Sequence, residues 1–344
     1  MQISEILREL VGYSAISGFE NSFSLVLSEK LKNYCYDVQI SASGCVIGKI
    51  PSANKNAKTI LIEAHLDQIG LIVSEICENG FVKFAAVGGV DERILPTTEV
   101  YILGKEKVYG VIGAKPPHLL SKGKDDSDAL KITDMTIDTG MDSETLTRLV
   151  SIGDPILLRS SYTELLDGNV ASAALDNRAG IAAIFSCLEQ IKDHSCPYNV
   201  FVCFTTGEET GLHGAYTLPA IIRPDLAVVV DVTHGTTPDA PTSGTFALGS
   251  GTAICRGPNL HYEYTKSVIS LAKEKSIPYE IEVASGHSGT NAWALQNLGG
   301  GIPCVLLSIP LRYMHTSVEV VNATDIDSTA KLLTEIVSGG VTLA

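Results

Sequence analysis

Two adjacent carboxylates, Glu208 and Glu209, close the apolar run Asn199 to Thr206 and open a glycine-rich turn in TTGEETGLHGA. A buried strand that ends on two acids calls for a cation or a proton transfer beside it, because an unpaired carboxylate is costly to desolvate. The same pair could equally be the solvated start of a turn. Other strand-like runs end in the same way. Thr59 to Ala64 runs into His65 and Asp67 (AHLDQIG), Leu226 to Val232 carries Asp231 and reaches His234 (VVVDVTH), and Cys304 to Ile309 leads to His315 (PLRYMHTS). Asp176 stands in ALDNRAG at the start of a helical pattern.

Together these are three histidines and five carboxylates, with no thiolate. Imidazole and carboxylate suit divalent first-row metals such as zinc, cobalt or manganese. The set exceeds what one ion requires and matches two ions that share a carboxylate. Asp176 can bridge, with His65 and Asp231 completing one site and Glu209 and His315 the other. Glu208 is then free to act as the base that takes a proton from a bridging water, and Asp67 is placed to accept the second imidazole N–H of His65. Each residue also has a plainer role on its own: a histidine after a strand is commonly structural, Asp176 could cap a helix, and Asp231 could cap a loop. The convergence of suitable residue types on several strand ends favours the metal reading. In open α/β sheets, ligands bind beyond the carboxyl ends of the strands.

The elements that must position these groups follow from hydrophobic patterning. Residues 2 to 34 read as two helices, followed by strands over 37–42, 45–50 and 59–64. Between about 69 and 166 the texture changes to short β-branched runs (LIVSEI, FVKFAAV, EVYILG, KVYGVIG, MTIDTG, DPILLRSS) with no helical pattern between them, which predicts a small barrel-like all-β module. Further on, helices over 177–191, 213–222, 262–274, 289–298 and 325–337 alternate with apolar strands over 199–206, 226–232 and 304–309. That alternation predicts an α/β domain, a doubly wound sheet covered on both faces. The predicted organisation is a catalytic domain from residues 1–68 plus 167–344, with an inserted β domain over 69–166.

The chain has 344 residues and a formal net charge of −14, which argues against nucleic acid or an anionic membrane as partner. The N-terminal pattern lacks the features of a signal peptide, and no apolar run reaches membrane-spanning length. The eight cysteines show no C-x-x-C spacing and read as buried thiols of a reducing compartment, so the expected location is the cytoplasm.

AHLDQIG, GVIGAKPPH (110–118), ALDNRAG, TTGEETGLHGA, VVVDVTH, SGTNA (288–292) and IPLRYMHTSVE (309–319) resemble, in order and over nearly the whole chain, the M42-type co-catalytic metallo-aminopeptidases. That group includes the tetrahedral aminopeptidases and some proteins once labelled glucanases. The resemblance implies a two-metal exopeptidase acting on peptides, with His65, Asp176, Glu209, Asp231 and His315 as ligands and Glu208 as general base. It further implies a cis peptide after Asp176, a supporting role for Asp67, a β domain used for dimerisation, and assembly up to dodecamers.

One departure concerns the substrate side: SGTNA places Asn291 where the family usually has an acid in GTDA. Trp293 beside it could line a pocket or pack in the core, and His118, His234 and His287 lie in loops that could approach the site. A glycoside hydrolase would need aromatic platforms, yet this chain has one Trp. The same residues would also serve a metal-dependent acylamino-acid hydrolase or, without turnover, a structural protein of an assembly.

Overall fold

The computed structural model describes residues 2–114, 130–241 and 243–343, so His118 and the end of the 110–118 segment lie outside the described residues. Helices α1 (Ile3–Leu10) and α2 (Asn21–Leu31) lead into β1 (Tyr36–Ile40), β2 (Val46–Ile50) and β3 (Thr59–His65). The insertion contributes β4 (Gly70–Ile76), β5 (Val82–Val87), β6 (Glu99–Leu103), β7 (Lys107–Ala114), β8 (Met135–Asp138), α3 (Ser143–Leu149) and β9 (Pro155–Leu158). Then come β10 (Thr163–Glu164), β11 (Asn169–Ser172), α4 (Leu175–Ile191), β12 (Asn199–Thr205), α5 (His213–Thr217) and β13 (Leu226–His234). The chain finishes with β14 (Thr252–Arg256), α6 (Tyr262–Glu274), β15 (Tyr279–Val283), α7 (Asn291–Leu295), β16 (Cys304–Arg312), β17 (Glu319–Asn322) and α8 (Ala323–Glu335).

The large sheet has the order β1-β2-β12-β3-β13-β16-β17-β11-β10, with β14 paired to β16 and β15 to β14. Its centre, β12-β3-β13-β16, is parallel. These strands are buried along almost their whole length, as expected when helices cover both faces. One face packs on α1, α2, α4, α6 and α8, the other on α5 and α7. Parallel register brings His65 abreast of Thr205, so the turn bearing Glu208 and Glu209 rises directly beside the end of β3.

The insertion closes as an antiparallel barrel, β4-β5-β8-β7-β6-β9. Burial alternates along β6 and β7, giving the barrel its own core of Leu71, Val100, Ile102, Ile112, Ile137 and Ile156. It also contains α3, where the sequence shows no helical pattern. This short helix is started by Asp142, whose carboxylate accepts the Thr145 N–H at 2.7 Å, and it buries only Leu146.

Arg178 locks the N-terminal segment to the site. Fully buried on α4, it donates to the Leu66 carbonyl at 2.6 Å and to Gln68 Oε1 at 3.0 Å, and it lies over the Phe23 ring at 4.2 Å. All eight cysteines are free. No helix among the described residues is long and apolar enough to cross a membrane.

Candidate metal centre

Five side chains converge beyond the carboxyl ends of the parallel strands. His65 is the last residue of β3, Asp231 lies on β13 abreast of Ser308, and Glu209 stands in the turn after β12. Asp176 occupies the non-helical start of α4, where the Asp176–Asn177 peptide is cis, as the resemblance implies. His315 follows β16 with a φ of 63°, a left-handed backbone that a non-glycine residue adopts only under the constraint of its surroundings.

The two oxygens of Asp176 face different histidines. Oδ1 lies 2.9 Å from His65 Nε2, and Oδ2 lies 3.4 Å from His315 Nε2. Asp231 Oδ1 is 3.6 Å from His65 Nε2, and Glu209 Oε2 is 3.3 Å from His315 Nε2. Two triads result, His65–Asp176–Asp231 and Asp176–Glu209–His315, each with its ligand atoms within 4.8 Å of one another. Asp176 is common to both.

These donors fit divalent cations on three counts. All are imidazole nitrogens or carboxylate oxygens. Glu209 Oε1 is buried without a hydrogen-bond partner, an orphan that a cation would satisfy. The site also gathers more carboxylate charge than burial tolerates. Burial pushes Glu208 up to about 10, with Asp231, Glu209 and Asp176 adding to the push and His65 opposing it. Burial likewise raises Glu209, reinforced by Asp176. At His65 burial favours the neutral ring, yet contacts with Asp176, Asp231 and Asp67 outweigh it and hold the imidazole well above its ordinary range. Positive charge amid the carboxylates would relieve each of these pressures.

Glu208 belongs to neither triad but lines the same cavity, of about 610 Å³, together with His65, Asp231 and His315. Asp67 stands beside Nδ1 of His65. The atom nearest His65 Nδ1 is its backbone carbonyl at 3.2 Å, whereas its carboxylate is 3.6 Å away. That carboxylate instead accepts the backbone N–H groups of Glu208 at 3.0 Å and Glu209 at 3.1 Å. Asp67 therefore fixes the turn that presents both glutamates.

Two supporting residues escape sequence reasoning. Glu319 is buried, accepting the His315 N–H through Oε1 at 2.9 Å and the Asp176 N–H through Oε2 at 3.1 Å, so one carboxylate holds two of the converging segments. Its only sequence signal is its place at the end of IPLRYMHTSVE. The other is Gly89, contributed by the barrel segment after β5. Its carbonyl lies 2.9 Å from His315 Nδ1, so Nδ1 carries the proton and Nε2 is turned toward Asp176 and Glu209. A Cβ at Gly89 would meet His315 Nδ1 at 2.8 Å. Gly89→Ala is therefore expected to weaken metal binding at the Asp176–Glu209–His315 triad by roughly ten- to a hundredfold, with the effect read by metal titration.

Asn291 does not reach the cavity. It is buried, and its amide donates to Glu63 Oε1 at 2.8 Å and to Thr205 Oγ1 at 2.9 Å, beneath the ends of β3 and β12. An acid at 291 would face the fully buried Glu63, which burial already pushes up to about 8. The amide suits that neighbour, and the adjacent Thr290 lines the cavity. Trp293 packs on the core beside α5, with the His287 ring tilted against it at 4.3 Å between ring centroids. His234 and His287 both line the cavity.

A co-catalytic arrangement of this kind on a mixed α/β sheet with an inserted barrel defines a class of metallopeptidase. The family model for M42 glutamyl aminopeptidase matches residues 44–332, and the chain belongs to that family. It is similar to the lysyl aminopeptidase of Pyrococcus furiosus, at 29% identity over 95% of this chain and 94% of that protein. Among solved structures it is similar to a TET aminopeptidase from a marine-sediment Thaumarchaeota archaeon, with a TM-score of 0.92 at 27% identity, covering 98% of this chain and 96% of that one. It is also similar to the TET1 peptidase of Pyrococcus horikoshii, which can assemble into a tetrahedron or a large octahedral shell (TM-score 0.86, 28% identity, 98% and 99% covered). The chain is thus a metallo-aminopeptidase acting on peptide bonds.

Proposed function

We propose that the protein removes the N-terminal residue of peptides using two divalent cations that share Asp176, one completed by His65 and Asp231 and the other by Glu209 and His315. The observation that carries this reading is the division of the two Asp176 oxygens between two histidines. Zinc suits this nitrogen and oxygen donor set, and cobalt or manganese would also be accepted. Bound there, the cations would supply Lewis acidity, polarising the scissile carbonyl and acidifying the attacking water.

The chain's own contribution centres on Glu208. Its backbone is fixed by Asp67, and its carboxylate stands outside both triads, in the cavity. It accepts a proton from the attacking water and returns it to the departing amine nitrogen. Asp67 and Glu319 act as positioning residues, one for the glutamate turn and the other for the His315 and Asp176 backbones. By analogy with its relatives, the chain pairs through the inserted barrel and builds from dimers toward a dodecamer.

The test is a panel of aminoacyl chromogenic substrates given to the chelator-stripped protein before and after zinc, cobalt or manganese is restored separately. Hydrolysis is expected to vanish on stripping and to return with at least one metal. Activity that persists in the stripped protein, or fails to return with any of the three, would refute the reading.

A further inference from the structure

We infer that the cavity selects peptides whose N-terminal residue carries a cationic side chain, and that Glu282 reads that charge; the inference rests on the two-metal site proposed above. Of the five carboxylates that line the cavity, Asp176, Glu208, Glu209 and Asp231 belong to the catalytic centre. Their four negative charges are matched by two divalent cations. Glu282 is the charge left over.

Glu282 is held in place as an acceptor. Its Oε1 receives the Thr233 hydroxyl at 2.6 Å, and its Oε2 receives the Ser308 hydroxyl at 2.9 Å. Thr233 lies two residues beyond Asp231 on β13, on the same face, and Ser308 is abreast of Asp231 on β16. The carboxylate is thereby fixed over the strand pair that carries a proposed ligand, and it lines the same cavity as both triads. The Cys255 thiol, abreast of it on β14, also bonds the carboxylate, and of the roughly four acceptor positions of the two oxygens at least one remains for a cation. No lysine or arginine lines the cavity, and among the described residues none pairs with Glu282. Leu212 and Met314 offer apolar wall for the methylenes of a long cationic side chain. A glutamyl or aspartyl N-terminus would meet the same carboxylate with no cation to answer it, so the site discriminates by repulsion as well as attraction.

Norleucine has the lysine stem without its ammonium group, and comparing the two isolates the charge. With the zinc-restored protein, lysyl substrates are expected to exceed norleucyl substrates in kcat/KM by about tenfold or more, with glutamyl substrates lowest. Calorimetry with free lysine and free norleucine should show the same order of binding without turnover. In Glu282→Gln the lysine advantage should collapse in both measurements, and in Glu282→Lys the order of lysyl and glutamyl substrates should reverse. Thermal unfolding checks that each variant folds; if one does not, the lysine against norleucine comparison in the unaltered protein still decides. Equal handling of lysine and norleucine, or an advantage that survives Glu282→Gln, would overturn the inference while leaving the two-metal reading intact. Failure to cleave any substrate would sink both.

Discussion

Glu208→Gln is expected to lower turnover by at least about a hundredfold while leaving the fold and both proposed metal sites in place. The amide is nearly isosteric and keeps the backbone N–H that Asp67 accepts, so the turn should hold its shape. It cannot, however, take a proton from water at neutral pH. Because Glu208 is in neither triad, metal content should stay unchanged, which separates this variant from one that damages a ligand. Kinetics with metal analysis on the same preparation checks both halves. Unchanged turnover would remove Glu208 from the proton path, and lost metal would make it a ligand instead.

Asp176→Ala should have the larger effect on binding, because it deletes the only side chain common to both triads. Each remaining site keeps one histidine and one other carboxylate, too few to complete a tight protein-held centre of the usual three ligands. Since the proposed cations would supply several kcal/mol of transition-state stabilisation, activity should fall by roughly a thousandfold or more. Asp231→Ala and Glu209→Ala should each weaken one site selectively. That asymmetry between the shared and the unshared carboxylates is specific to the bridged arrangement.

The parts of this protein legible in its sequence share a physical cause. β3, β12, β13 and β16 are buried on both faces, so they read as apolar runs, and the chemistry begins where those runs stop. The barrel strands are legible as short β-branched runs with no helical pattern between them. Elements stabilised by context are harder to see. β15 (Tyr279–Val283) is a short edge strand with exposed residues, and β14 (Thr252–Arg256) gives too short a run to stand apart from a loop. The pattern predicts a helix from 213 to 222, but α5 gives way to a 3₁₀ turn at Leu218–Ala220, where Pro219 has no N–H to continue the ladder. The helix expected over 289–298 shortens to Asn291–Leu295 between loops that contain Gly289 and Gly299 at positive φ.

Within the site, residue type at a strand end is a sufficient signal for the converging side chains. Gly89 acts through its carbonyl, which any residue possesses, and it comes from a different structural unit, so sequence patterning gives it no signal. Asp67 and Glu319 accept backbone N–H groups from other segments, contacts that only the folded geometry reveals. Asn291 reads as a substrate-side change because of its neighbours in the chain. Its spatial neighbour is Glu63, 228 residues away in sequence.

The central claim, one aspartate shared by two cations, is tested most directly by calorimetric titration of the metal-stripped protein with zinc, in the unaltered chain and in the Asp176→Ala and His315→Ala variants. Two tight ions per chain are expected, reduced to one in His315→Ala and to none in Asp176→Ala. A single tight ion in the unaltered chain, or two retained after Asp176→Ala, would contradict it.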